Sequence, residues 1–386
     1  MEYKDITQHE IEALKVKYNL ADAHTHQSQS PSQREIVGRL SSLWYEAEKT
    51  RQYDTEQKFI ETFFRVQKQE YALKTPTMLV YASSIAMVIV ANYLMKNKMS
   101  VSLLEPCFDN IHDILEHMQI EIVVLKEEWL HNPSTLYDNL EKHVKTDAIF
   151  IVDPNNPTGF TLFSHGDKAY SELIRFAKDK NKLLLIDYCF APFVDYAPHI
   201  KVAPVYEILE RSGVSYIAIE DTGKTYPIQD TKVAMLKTSK DLHEEIYNIH
   251  TSYLLNVSPF ILNLATQYIL DSERDHFESV YNLLDTNRNL LKEMLAGSLL
   301  EYQESEAGVS VAWLRIKEPR VTATELQKLV LDAGVYILPG TYFFWSDRTK
   351  GERYVRIALA RNTEMFKPAI TLVRRALDTY EKNLCK

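Results

Sequence analysis

AIFIVDPNNPTGF, residues 148–160, sets the reading of the whole chain. Five apolar residues run unbroken, then a turn of proline, asparagine and glycine stops them. Such a run, closed by turn residues, predicts a strand buried on both faces. Strands of that kind belong to parallel sheets covered by helices. The flanking sequence repeats the pattern. VSLLEP (101–106), IEIVVLK (120–126), KLLLIDY (182–188) and VSYIAIE (214–220) read as strands. FDNIHDILEHM (108–118) and SELIRFAKDK (171–180) read as amphipathic helices between them. This βα alternation predicts an α/β fold with a mostly parallel sheet and helices on both faces. KVAMLKT (232–238) follows VSYIAIE after a short link and predicts an antiparallel neighbour.

Past residue 275 the pattern changes. A helical stretch, HFESVYNLLDTNRNLLKEMLAG (276–297), leads into strands at VSVAWLRI (309–316) and YVRIALA (354–360), then a closing helix. With 386 residues, a larger and a smaller domain are expected. The expected division is an N-terminal segment 1–45, a large domain 46–290 and a C-terminal small-domain segment 291–386.

Composition narrows the function. The formal charge is -9 with no basic block, which argues against nucleic acid as a partner. Thr75–Met95 carries no charge and has the length of a membrane span. Pro76, Ser83, Ser84 and Asn92 interrupt it, so a buried strand, a turn and a buried helix are expected, and no membrane. The polar start is unlike a signal peptide. Cys107, Cys189 and Cys385 lie far apart and form no disulfide or metal pattern. These features predict a cytoplasmic protein.

Chemistry-bearing residues recur at strand ends. DPNNPTGF resembles the Asn-Pro-Thr-Gly turn of the class I/II aminotransferases, the fold-type I pyridoxal phosphate (PLP) enzymes. That resemblance implies a large domain with a mostly parallel sheet, and a smaller α+β domain from both chain ends. Asp187, closing LLLID, resembles the aspartate that faces the cofactor's pyridine nitrogen; read alone, it is equally a helix cap. Lys224 has the spacing of the cofactor-anchoring lysine; read alone, it is a loop lysine. Ser83 and Ser84, before a helix, resemble the phosphate cup. Lys232 stands where relatives usually carry a phosphate-binding arginine. Asn156 would touch the ring oxygen, and Phe108 would stack on the ring or simply fill the core. Arg356 resembles the arginine that binds a substrate carboxylate through two parallel hydrogen bonds.

Asp221 departs from the family pattern. A serine or threonine usually stands three residues before the lysine and touches phosphate. A carboxylate there would be repelled by roughly 4 kcal/mol at about 4 Å. Asp221 is therefore expected to point elsewhere, or Thr222 to take the phosphate contact. An acid beside the pocket suits a cationic substrate, or else pairs with Lys232.

The string EDTGK, with Pro227 and Lys232, resembles the PLP-dependent L-arginine oxidases, hydroxylases and desaturases, of enduracididine and indolmycin antibiotic biosynthesis. NLADAHTHQSQSPSQ (19–33), FDNI (108–111), NVSP (256–259) and VRIALAR (355–361) extend the resemblance along the chain. It implies that Thr7, Glu10, Asp22 and Asp221 hold the arginine side chain, and that Arg356 holds its carboxylate. It also implies that 19–33 is a mobile lid whose His24 governs the oxidative outcome. Read alone, His24 and His26 are polar loop residues, and no third ligand at recognisable spacing makes them a metal site. The implied reaction consumes O2, releases H2O2 and gives a dehydro-imine, 4-hydroxy-2-oxo-arginine or 2-oxo-arginine. A homodimer and a downstream imine reductase are the implied partners. A conventional aminotransferase for a basic or aromatic amino acid is the alternative.

Overall fold

The computed structural model describes residues 5–195, 197, 200–201 and 203–384. Cys385 lies outside the described residues; Cys107 and Cys189 are buried free thiols.

Seven strands form the main sheet: β1 (Thr77–Val80), β2 (Val101–Glu105), β3 (Ile122–Lys126), β4 (Ala148–Val152), β5 (Leu183–Asp187), β6 (Tyr216–Asp221) and β7 (Ala234–Thr238). Their spatial order is β1-β7-β6-β5-β4-β2-β3. Strands β2 to β6 pair in parallel. The expected antiparallel neighbour is β7, which lies antiparallel to both β1 and β6. β2, β4, β5, β6 and β7 are buried along their whole length, as unbroken apolar runs require. The edge strand β3 is more exposed.

A second, antiparallel sheet joins β8 (Leu300–Gln303), β9 (Val311–Ile316), β10 (Leu338–Pro339) and β11 (Tyr354–Ala358) in the order β10-β11-β9-β8. Three helices matter for the site: α1 (Ile6–Ala13), α2 (Ser83–Lys96) and α3 (Asp109–His117). Asp5 caps α1 by accepting the Gln8 amide at 2.7 Å. The charge-free run Thr75–Met95 is thus β1, a turn and α2. Among the described residues no helix is long and apolar enough to cross a membrane.

Packing divides the chain differently from the expected limits. One core runs from Ile36 to Ile269 around the main sheet. A second joins Leu20, Ala23, Phe190 and Phe193 to Val280–Leu377 around the antiparallel sheet, and a third, smaller one packs Ile6, Ala13 and Ala21 against Trp313, Tyr336, Leu338 and Phe343. Helices Pro31–Gly38 and Leu40–Lys49 send Ile36 and Leu43 into the first core, so they do not pack with the N-terminal segment expected at 1–45. The second core opens at Val280, ahead of the expected limit at 290, because helix Glu278–Leu295 buries Val280, Leu284 and Leu291 there.

Candidate active site

The candidate residues gather at the C-terminal ends of the parallel strands, where open α/β sheets place ligands. Asp187 closes β5 and Asp221 closes β6. Asn156 follows β4, Phe108 follows β2, and Ser83 opens α2 after β1. Register puts Asp187 opposite Ile219, so Asp187 and Asp221 share one face of the sheet. Chain folding alone therefore brings five segments, spread over the sequence from Ser83 to Asp221, to one edge.

Two N-terminal pieces close over that edge. His26 bridges to Arg361, and the Ala358 amide donates to the Leu20 carbonyl at 2.8 Å. Arg361 is 2% exposed and binds the carbonyls of Asn19, Asp22, His24 and Ala360. Residues 19–24 are thereby fixed to the strand end that carries Arg356. Asp22 then lies between two imidazoles: its Oδ1 is 2.6 Å from His24 Nδ1 and its Oδ2 is 2.6 Å from His26 Nε2. Burial opposes the Asp22 charge, but hydrogen bonds from both histidines outweigh it and hold the pKa well below the carboxylate range. With its Nδ1–H donated to Asp22, His24 has Nε2 left as an acceptor. Lys232 Nζ lies 2.9 Å and Lys224 Nζ 3.3 Å from that nitrogen. The donor atoms of Asp22, His24 and His26 lie within 4.8 Å of one another, a spacing a metal ion could also use. The two lysine ammoniums facing His24 oppose a second cation there.

Asp221 does not turn away from the phosphate cup as expected. Its Oδ1 accepts the Gly223 amide at 2.5 Å and its Oδ2 accepts the Ser83 amide at 3.3 Å. The N-terminus of α2 has no side-chain cap of its own, and Asp221 is the anion that approaches it. Thr222 is also placed differently. Its hydroxyl accepts the Val233 amide at 2.9 Å and donates to the Val233 carbonyl at 3.1 Å, and the residue is fully buried. It ties β6 to β7 and does not face the pocket. Asp221 does not pair with Lys232; His24 does.

Arg356, on β11, is fully buried. Its Nη1 donates to Asn156 Oδ1 at 3.3 Å, and its Nη2 donates to Glu10 Oε1 at 3.1 Å and to the Ala21 carbonyl. Burial lowers its pKa, with the Glu10 charge opposing. Glu10, expected to hold a substrate side chain, here pairs with Arg356, the residue expected to bind the substrate carboxylate. Thr7 lies one turn before Glu10 on the same face of α1.

Asp187 is 6% exposed and accepts the Cys189 amide at 2.9 Å. Burial raises its pKa, and among the described residues it has no ion-pair partner. A buried carboxylate of that kind suits a ring N–H that arrives with its own positive charge. Gly223 is a second fitted feature: a Cβ there would lie 3.0 Å from Asp221 Oδ1 and Lys232 Cδ, and 3.1 Å from His24. With two ammoniums and a helix N-terminus at the other end, the residues present fit a pyridoxal phosphate.

Sequence reasoning missed Glu127. Its Oε2 accepts from Asn155 Nδ2 at 2.5 Å and Thr158 Oγ1 at 2.6 Å, so it pins the turn that carries Asn156. No spacing points to it. His26 had a signal: Asp22, His24 and His26 alternate, so in extended chain they share a face.

Residues 48–372 match the aminotransferase class I and II family. The chain belongs to that family. It has the fold of the fold-type I aminotransferases. An LL-diaminopimelate aminotransferase of Maridesulfovibrio salexigens is 27% identical over 263 residues, 67% of this chain and 63% of that relative. An aromatic-amino-acid aminotransferase of Thermococcus litoralis is 26% identical, over 62% of this chain and 60% of its own. The chain thus spans less than two thirds of the length of these curated relatives. Among solved structures, MppP soaked with the product 2-ketoarginine has a TM-score of 0.82 and 28% identity, over 92% of this chain and 98% of that one. The Thermus thermophilus aspartate aminotransferase with maleate shares the fold at 15% identity, with a TM-score of 0.76 over 98% of this chain and 97% of its own.

Proposed function

We propose that this aminotransferase-family enzyme oxidises L-arginine with O2 and releases H2O2. The observation that carries the reading is the acidic N-terminal cover of the site: Glu10 and Asp22 reach it from α1 and the segment after it, and Asp221 from β6. Two buried guanidiniums, Arg356 and Arg361, stand beside Glu10 and Asp22, and Arg356 is the one paired with Glu10. That charge pattern suits an amino acid with a carboxylate at one end and a guanidinium at the other. The likeness to MppP, whose structure carries the product 2-ketoarginine, supports it.

Bound PLP would supply an electron sink at the α-carbon and a path for electrons to O2. Lys224 anchors the cofactor and takes the α-proton at Nζ. His24 Nε2, 3.3 Å away, receives or returns that proton, and Asp22 holds the imidazole in the tautomer that can do so. Asp187 would face the ring nitrogen, Asn156 the ring oxygen and Phe108 the ring face. Ser83, Ser84 and Lys232 would hold the phosphate. Arg356 takes the substrate carboxylate. Segment 19–26, fixed by Arg361, excludes water from the reacting atoms. The product is 2-oxo-arginine, its 4-hydroxy form or a dehydro-imine, the last passed to an imine reductase. The active unit is a homodimer.

The test is oxygen uptake and peroxide release on adding L-arginine to PLP-loaded enzyme without a keto acid. Stoichiometric O2 loss and peroxide are expected. Transamination with 2-oxoglutarate, with no O2 uptake, would replace this reading with a conventional aminotransferase.

A further inference from the structure

Glu220 lies next to Asp221 on β6 and points to the opposite face of the sheet. It is 3% exposed, and its Oε1 accepts from the Tyr206 hydroxyl at 2.8 Å. Its other oxygen, Oε2, is buried with no hydrogen-bond partner among the described residues. Lys237, the neighbouring cation on β7, is engaged by the carbonyls of Ala72, Thr75 and Pro76 and by the Thr75 hydroxyl. A buried carboxyl without its own cation resists ionising. Burial pushes the Glu220 pKa up to about 8, with the Tyr206 hydrogen bond opposing.

That carboxyl lines a cavity between the helices Gln52–Val66, Val205–Ser212 and Glu278–Leu295. Phe163, Tyr188, Tyr206, Phe277 and Tyr281 give the cavity aromatic walls. At its rim the exposed Asp195 already holds Lys68 at 2.8 Å. Two more buried polar atoms on lining residues have no partner among the described residues. They are the Tyr188 hydroxyl and Gln69 Oε1, whose amide nitrogen donates to the Ala203 carbonyl. Folded interiors leave few such atoms unpaired, and three around one cavity mark a place for a ligand. Glu220 and Gln69 both offer acceptors, so that ligand must donate. Aromatic faces around an acid favour a donor that is also a cation. A guanidinium is planar, weakly hydrated and stacks on such faces, so it fits better than an ammonium. The cavity has room for about three waters, the size of a head group rather than of a whole metabolite.

We propose that this cavity is a second ligand site, on the face of the sheet away from the candidate active site, that takes a small planar cation of the guanidinium or amidinium type on Glu220 Oε2. The Tyr188 hydroxyl and Gln69 Oε1 accept its remaining N–H groups, and Tyr206 keeps Glu220 Oε1. A neutral ligand of the same shape leaves the ionised carboxyl without a counter-charge in a buried place, which is costly. The site stands apart from the oxidase reading, because none of the residues assigned to cofactor or substrate lines it.

Calorimetric titration of the PLP-loaded enzyme with methylguanidinium, and with N-methylurea as its neutral counterpart, tests this. The wild type should bind the cation and not the urea. Glu220→Gln keeps the shape of the side chain and loses its charge, so it should weaken methylguanidinium about tenfold or more. Tyr188→Phe should weaken it severalfold. Equal affinity for the cation in wild type and Glu220→Gln places the binding elsewhere and overturns the site. N-methylurea bound as tightly as the cation overturns it too, as does no binding of the cation, which leaves the cavity to water. Should Glu220→Gln fail to fold, Tyr188→Phe decides: weakened binding supports the site and unchanged binding overturns it.

Discussion

Asp221 shows how far one side chain can redirect a shared site. Both of its oxygens accept backbone amides, from Gly223 and from Ser83 at the start of α2. It therefore sits at the positive end of the α2 dipole, where an anion such as a phosphate would otherwise bind. A carboxylate and a phosphate there repel, and Lys232 and Lys224 are the nearby cations that offset this. Asp221→Ser should bind PLP at least as tightly as the wild type and raise the KM for arginine about tenfold, if the acid contributes one charged contact to the cation. Fluorescence titration of the apoprotein with PLP and steady-state kinetics separate the two effects. Equal losses in both would mean that Asp221 serves the helix cap alone. The sequence made Asp221 visible as an oddity of type and spacing. Its direction was not legible, because Ser83 is distant along the chain and meets Asp221 only through the pairing of β1, β7 and β6. Thr222 failed for the same reason: its hydroxyl answers to Val233 on the neighbouring strand.

Strands and helices were far easier to read than these side-chain directions. Burial on both faces leaves a parallel strand few polar positions, so β4 stands out as an unbroken apolar run and β2, β5 and β6 as apolar runs with polar residues mostly at their ends. The helices Pro31–Gly38 and Leu40–Lys49 are mostly polar, and the few residues that they bury, Ile36 and Leu43 among them, are too sparse to announce which core they join. Helix α1 is the element with a pH dependence of its own. His9 is 6% exposed, and its Nδ1 lies 2.8 Å from the Tyr336 hydroxyl. Burial lowers its pKa from 6.5 to about 4. The folded chain thus resists a proton that the unfolded chain accepts. His9 contributes stability above pH 6.5 that is lost as the pH falls through about 4, up to about 3 kcal/mol. Asp109, which accepts the Ile6 amide at 2.8 Å, works in the opposite sense because burial raises its pKa. The difference between wild type and His9→Gln isolates the histidine. Amide protection in α1, corrected for intrinsic exchange, should fall more between pH 6.5 and 4 in the wild type than in the variant.

The two chain ends meet across the whole molecule at Arg361. Its guanidinium binds the carbonyls of Asn19, Asp22 and His24, while the Asn287 amide holds the carbonyls of Leu359 and Arg361 itself. One buried side chain thereby joins the N-terminal segment to the core of the antiparallel sheet. The same segment reaches the other core, where the Thr25 hydroxyl donates to the Lys224 carbonyl at 2.8 Å and Gln29 donates to the Pro227 carbonyl at 2.9 Å. Burial lowers the Arg361 pKa to about 10, so the group stays charged at neutral pH and its carbonyl partners must satisfy it. Lysine keeps the charge but cannot span four carbonyls with a planar fork. Arg361→Lys should lower unfolding stability by about 2–4 kcal/mol, from the loss of charged hydrogen bonds. It should also expose residues 19–30 to proteolysis while the main-sheet core stays intact. Limited proteolysis followed by mass mapping reads this directly. Cleavage confined to 19–30, with PLP still bound, is the expected pattern. If the segment stays protected and the loss falls instead on the PLP-binding core, the clasp belongs to overall folding and the N-terminal segment is held by its contacts to Lys224 and Pro227.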